Sequence, residues 1–320
     1  MKKMKKTIFI FIILLGICLG GWYYSVSFAV QTRYDFYHWT FKYEVEEAQL
    51  SPRYIKVLDI SFNTNLDIRR TLFKTQPTKM LVPVIYIDNP LWSKMKAETM
   101  VKKVLKALET MPISYREIQV DCDWTDSTKA SYFDFLKLLK KESIKKISAT
   151  IRLHQVKYYT QTGVPPVDYG VLMYYNMSDF KDLKTKNYIL DLELAQRYHY
   201  NFDDYPLRLN LALPLYSQGT IIRFEEVVGI IEGIRENALN EYFKKVKNHY
   251  YKITKTHYFK GRLLYEGDLI RIDEVSKKVL EESLWRLKKV MPKPEEIVFY
   301  RWGNRALYGE EFFKKLIEKW

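Results

Sequence analysis

Cysteine is nearly absent from this 320-residue chain: only Cys18 and Cys122 occur. One lies in an N-terminal leader and the other inside an apolar run, so no disulfide framework can staple the body of the chain, whatever its compartment. Metal-ligand spacing is missing too. No His-x-His, His-x-x-x-His or cysteine cluster occurs, so His38 and His154, expected to end two strands, form no metal motif. There is no glycine-rich phosphate loop and no Gly-x-Ser-x-Gly elbow, which leaves nucleotide chemistry and serine hydrolysis without a motif. No cofactor is expected. The net charge is +14, but lysine and arginine are spread along expected helices rather than gathered in a stripe. That pattern counts against a nucleic-acid partner. It fits an anionic partner or surface, and equally a well-solvated exterior.

What is abundant is tyrosine, 26 residues in all. Flat, amphipathic rings suit sugars when they line a cleft, and core when they do not. The length admits one large or two small domains and a sizeable core without metal or disulfide. The N-terminus carries Lys2, Lys3, Lys5 and Lys6, then an almost wholly apolar stretch over 7–21 and a mixed aromatic and small stretch to residue 30. This is an export-type leader. Ser27-Phe28-Ala29 offers small residues to a signal peptidase. Alternatively, residues 7–30 are long enough to anchor the chain in a membrane uncleaved, with the basic end held inside. Leu15-Gly16-Ile17-Cys18 is a poor lipidation site because bulky Ile17 precedes the cysteine. Either way the body, residues 31–320, is expected to be exported to the cell envelope.

Strand-length apolar runs recur eight times with helical segments between them. The strands are expected at 35–41, 54–62, 80–88, 117–125, 146–154, 169–176, 209–216 and 296–304. Amphipathic helices are expected at 93–110, at 129–142 with Ser127 or Thr128 as cap, and at 310–320. Eight such units predict an α/β fold, a closed (β/α)8 TIM barrel. In strand seven, Leu209, Leu211, Leu213 and Leu215 share the face toward the helices. Asn210, Ala212, Pro214 and Tyr216 then point into the barrel. The same parity sends Thr150, Arg152 and His154 inward on strand five, and groups Tyr300, Trp302 and Asn304 on strand eight. A slip of one residue would reverse these faces. The connection from strand seven to strand eight is too long for a barrel loop. Residues 217–273 are read as an α+β insertion over the mouth, with a helix at about 223–247, hairpin-like runs to 273, and a helix at 274–291 leading to strand eight.

The most informative stretch is Ile118-Gln119-Val120-Asp121-Cys122-Asp123-Trp124-Thr125. As a continuous strand it would aim Asp121, Asp123 and Thr125 one way, and Val120 and Cys122 the other. Two acids on one inward face at the C-terminal end of a barrel strand are costly for stability alone, and that end is where barrel enzymes keep their chemistry.

These residues resemble the glycoside hydrolase family 18 superfamily, the chitinase-like barrels, over roughly residues 34–320. The family's Asp-x-Asp-Trp-Glu is matched by Asp121-Cys122-Asp123-Trp124-Thr125. Its Met-x-Tyr-Asp/Asn is matched by Met173-Tyr174-Tyr175-Asn176. Its strand-eight tryptophan is matched by Trp302, and the aromatic end of its first strand by Tyr37-His38-Trp39. Many members also carry an α+β insertion after strand seven. The pattern is also similar to exported bacterial barrels related to those hydrolases. The resemblance implies a polysaccharide partner, one containing N-acetylhexosamine. It implies that the substrate's own acetamido group attacks the anomeric carbon while an aspartate stabilises the cation. Asp123 would take that role, Tyr175 would hold the acetamide, and Trp302 would floor the site. The chain departs from the family at Thr125, where the general-acid glutamate belongs. A hydroxyl there is far too weak an acid. Asp126 faces the wrong way unless the strand bends, and a second register makes Asp123 the acid and Asp121 its partner.

Plainer alternatives stand beside this. Asp121 and Asp123 could be structural acids paired with Arg152 or Arg301, and Tyr175 and Trp302 could be barrel filling. The candidate catalytic residues are Asp121, Asp123 and Tyr175. The candidate binding residues are His38, Trp39, Thr125, Arg152, His154, Asn176, Tyr216 and Trp302. Three readings follow: a glycosidase, a glycan-binding relative without activity, and an envelope scaffold.

Overall fold

A computed structural model describes residues 31–46 and 51–320. The expected leader lies outside these residues. Among the described residues no helix is long and apolar enough to cross a membrane.

Eight parallel strands close a barrel: Arg33–His38, Tyr54–Phe62, Val82–Ile87, Glu117–Asp121, Lys146–Arg152, Tyr169–Met173, Leu209–Pro214 and Glu296–Tyr300. Closure is visible at Tyr37, which pairs with Tyr300 on one side and Tyr54 on the other. The expected TIM barrel is therefore what the chain forms. Most of the strands stop two to four residues earlier than the apolar runs suggested, because the residues at their C-terminal ends leave the ladder to build the mouth.

Helices pack outside where the sequence has the right period. Ala97–Glu109 buries Met100, Val101, Val104, Ala107 and Leu108, one face of a 3.6-residue repeat. Lys129–Ser143 does the same with Tyr132, Phe135, Leu136 and Leu139. Lys277–Leu287 starts at Ser276, whose hydroxyl accepts from the Val279 amide at 3.2 Å. Glu310–Glu318 follows the last strand. Thr128 does stand at the expected cap position, but its hydroxyl makes no cap bond. It accepts from the Thr125 amide and donates to Asn89 Oδ1 at 2.6 Å instead.

Not every unit is βα. After strand two the chain turns back as Leu66–Arg70, antiparallel to it. After strand five come only the short helices Leu153–Lys157 and Tyr159–Thr162. After strand six there is only Leu192–Gln196, capped by Asp191.

The long connection also differs from expectation. No helix spans 223–247. Ser217–Arg223, Glu226–Glu232, Phe243–Lys247, Tyr250–Ile253 and Leu269–Glu274 make a five-stranded antiparallel sheet. A further hairpin pairs His257–Phe259 with Arg262–Leu264. The physical reason lies in the residues. Val227-Val228-Gly229-Ile230-Ile231 is β-branched around a glycine, a poor helix and a good strand. Phe224 and Glu225 both have positive φ, 49° and 64°, which closes a tight two-residue hairpin. This sheet has its own apolar core, centred on Ile221, Ile253, Ile270 and Ile272.

Arg271 fastens the sheet to the loop after strand six. Its side chain is fully buried and paired with Asp273 at 2.8 Å. Its other nitrogens donate to the carbonyls of Asp182 and Phe180. Asn187 and Tyr250 add hydrogen bonds across the same joint. The start of the inserted sheet is thereby held over the barrel's C-terminal end.

Candidate functional site at the barrel mouth

A cavity of about 250 Å³ opens at that end. Its aromatic wall comes from the C-terminal ends of four barrel strands. Tyr175 and Tyr300 stack at 5.4 Å, with their planes 20° apart. Tyr216 stands edge-on to both, and Trp39 edge-on to Tyr300. Asp121, Arg152, Asn176, Tyr188, Gln218, Glu232 and Arg301 supply the polar lining.

Asp121 ends strand four and is only 6% exposed. Thr150 on strand five donates to its Oδ1 at 2.6 Å. Among the described residues no cation bonds it directly. Burial, with the neighbouring Asp123 charge second, pushes its carboxyl up to about 6. It can therefore hold a proton over part of the physiological range.

Asp123 is not its companion on one face. The strand stops at Asp121, and residues 122–125 form an irregular link to the next helix. Cys122 packs toward the helix layer against Trp92, whose Nε1 donates to its sulfur at 3.3 Å. Trp124 is buried, stacks on Tyr132 at 5.5 Å and bonds the Thr162 carbonyl. Asp123 is left outside, with its side chain 57% exposed, in a two-pronged pair with Arg152 at 2.6 and 2.7 Å. The structural-acid alternative thus describes Asp123 but not Asp121. Thr125 does not line the cavity. Its hydroxyl joins a loop network with Asn89, Ser127 and Thr128.

The other expected residues divide in the same way. Trp39, Arg152, Tyr175, Asn176 and Tyr216 meet at the cavity. The Tyr216 hydroxyl donates to Asn176 Oδ1, and Asn176 holds a positive φ of 55° at the turn out of strand six. His154 starts beyond the strand and lines a small adjoining recess with Arg152 and Tyr198. His38 points away from the cavity, buried against Tyr43 and 3.3 Å from Thr40 Oγ1. Burial, helped by Arg301, lowers its imidazole to about 4. Trp302 is the clearest displacement. It begins a 3-10 helix behind the last strand and packs edge-on against Phe36, beside the Arg305 guanidinium. The aromatic ring that lines the cavity from strand eight is Tyr300, two residues earlier.

Glu232, Tyr188 and Gln218 went unrecognised in the sequence. Glu232 fell within an expected helix, so nothing placed it beside a barrel strand. Arg301 pairs with Glu232 at 2.8 Å rather than with either aspartate.

No family model matches the chain, and no curated protein matches it. Solved structures do. The spore cortex-lytic enzyme SleL of Bacillus cereus superposes with a TM-score of 0.54 at 12% identity, over 90% of this chain and 74% of that one. The two share a (β/α)8 barrel fold. A chitinase from Chromobacterium violaceum gives 0.46 at 9% identity, over 75% and 79% of the two chains. Catalytic domain 2 of an Ostrinia furnacalis Group II chitinase gives 0.43 at 10%, over 75% and 78%. At these identities the likeness concerns architecture.

Proposed function

We propose that this chain is an exported glycoside-hydrolase-like protein that takes an amino-sugar polysaccharide into the mouth of the barrel and cleaves it with Asp121 as proton donor. The observation that carries the reading is Asp121 itself: a buried carboxyl facing a cavity of tyrosines, bonded by a hydroxyl and not by a cation. A structural acid in a barrel is normally paired. One raised to about 6 is suited to protonate a leaving oxygen. The stacked Tyr175 and Tyr300, with Trp39 and Tyr216 at their edges, give a sugar ring flat apolar surface and phenol donors. The motif resemblance and a fold shared with a cortex-lytic enzyme both suit an amino-sugar polymer. The basic, then apolar, leader supports export, with the chain either anchored or cut free.

A second reading, glycan binding without hydrolysis, is favoured by one observation. The family's acid position is Thr125, which is engaged in loop hydrogen bonds. The two readings separate in one experiment. The purified protein is incubated with N-acetylglucosamine oligomers and with peptidoglycan, and products are followed by mass spectrometry beside Asp121→Asn. New fragments that disappear in the variant support hydrolysis. Oligosaccharide bound but never cut supports the binder, and neither binding nor cleavage defeats both.

A further inference from the structure

Hydrolysis by direct displacement needs two carboxyl groups, one protonated and one ionised, with a water positioned between the second and the sugar. The barrel strands supply only one at this cavity. Asp123 is outside it and clamped by Arg152, and Thr125 is not part of the lining. The inserted sheet brings in the other. Glu232 ends the strand Glu226–Glu232, directly across from Gln218, and both residues line the same cavity as Asp121.

We propose that Glu232 is the second carboxylate of the site and acts as the base that activates water. This rests on the hydrolase reading above and adds a residue that the family motif does not contain. The surroundings of the two acids differ in the way that division of roles requires. Asp121 is buried, near the like charge of Asp123, and bonded by a neutral hydroxyl. Glu232 is 62% exposed, and its Oε2 accepts from the Arg301 guanidinium at 2.8 Å. Among the described residues nothing bonds its Oε1, which is free for a water. Both acids flank the aromatic wall. The Tyr300 phenol is raised first by burial, and Asp121 and Glu232 each add to that, against the lowering by Arg301.

The step balances without any other reagent. The water oxygen bonds to the anomeric carbon as Glu232 takes its proton. The glycosidic C–O bond breaks, and its electron pair stays on the leaving oxygen, which receives the proton of Asp121. Exchange with solvent then returns each group to its starting state. A single displacement inverts the anomeric configuration, whereas attack by the substrate's acetamido group would retain it. The insertion is, on this account, part of the catalytic apparatus.

The test uses the intact chain with an N-acetylglucosamine oligomer. Glu232→Gln should slow turnover by about 100-fold or more, the ordinary contribution of a positioned base, and leave oligomer affinity within a few-fold. Added formate should restore part of the activity of Glu232→Ala, which a structural role would not allow. Proton NMR of freshly formed wild-type product should show the inverted anomer. If Asp121→Asn is inactive but Glu232→Gln keeps wild-type turnover, or if the product anomer is retained, this inference falls and the hydrolase reading stands. A wild-type protein that binds oligomer and cuts nothing overturns both.

Discussion

The two ends of the barrel bury comparable chemistry and put it to different use. At the N-terminal end Glu296 accepts from Arg53 and from Tyr54, each at 2.5 Å. Glu117 accepts from Ser148 and Tyr169 in the same layer. Asp35 takes two backbone amides, those of Phe36 and Arg53, and burial raises its carboxyl to about 6. At the C-terminal end Asp121 is also raised to about 6, again chiefly by burial. A perturbed acid is therefore not by itself the mark of a site. The difference is what surrounds it. Asp35 is closed in by amides and a guanidinium. Asp121 has one hydroxyl and a cavity.

The comparison breaks most visibly at the lower end. Glu296→Leu takes from Arg53 the shorter of its two carboxylate contacts, leaving Asp35 at 3.6 Å, and takes from buried Tyr54 its acceptor, so it should cost about 3 kcal/mol, the low end for breaking a buried pair. Urea unfolding would show a large drop in midpoint. Oligosaccharide affinity of the protein that remains folded should not change.

At the upper end the sign reverses. Burial holds the Asp121 carboxyl at about 6 in the folded protein, against the ordinary 3.8 of an aspartate. Its favourable contribution is complete below about 4 and is lost as pH rises through 6. At pH 7 the charged, buried form opposes folding. Asp121→Asn should then stabilise the protein at pH 7 by up to about 3 kcal/mol. The gain should fade as pH falls from 6 toward 4. Thermal melts of both proteins across that range check it, and a destabilised variant at pH 7 would contradict it.

Smaller effects sharpen the assignment of the aromatic wall. Tyr300→Ala should weaken oligosaccharide binding by about 1–2 kcal/mol, the scale of a lost aromatic stack and its contact area. Trp302→Phe should leave binding nearly unchanged, because its ring packs against Phe36 instead. Titration calorimetry on the two variants decides between them. The least change is expected at Asp123→Asn. Its carboxylate is more than half exposed, although Arg152 is 21% exposed, so the loss should be about 1 kcal/mol in urea unfolding.

Much of the barrel was legible because its strands and helices obey two simple periods. Strand two was read at its observed bounds, 54–62, and strand seven's parity correctly sent Tyr216 to the mouth. The same parity failed at both functional strand ends. A period-two rule holds only while the ladder continues. After Asp121 and after Tyr300 the chain leaves it, so Asp123, Thr125 and Trp302 do not follow their i−2 neighbours. The insertion was misread for a related reason. A helix was expected at about 223–247, whereas Val227, Val228, Ile230 and Ile231 and the positive-φ pair Phe224-Glu225 carry a hairpin signal. Glu232 could not be placed from sequence, since its position at the cavity comes from the pairing of two inserted strands, Glu232 opposite Gln218.

The most direct test of the account titrates Asp35 and Asp121 by carboxyl-carbon NMR, with and without an N-acetylglucosamine oligomer. Both should titrate near pH 6 in the free protein. Only Asp121 should move when the oligomer is added, because only it faces the cavity. An unmoved Asp121 with oligomer bound, or a shift at Asp35 instead, would contradict the assignment of the glycan to the barrel's C-terminal mouth.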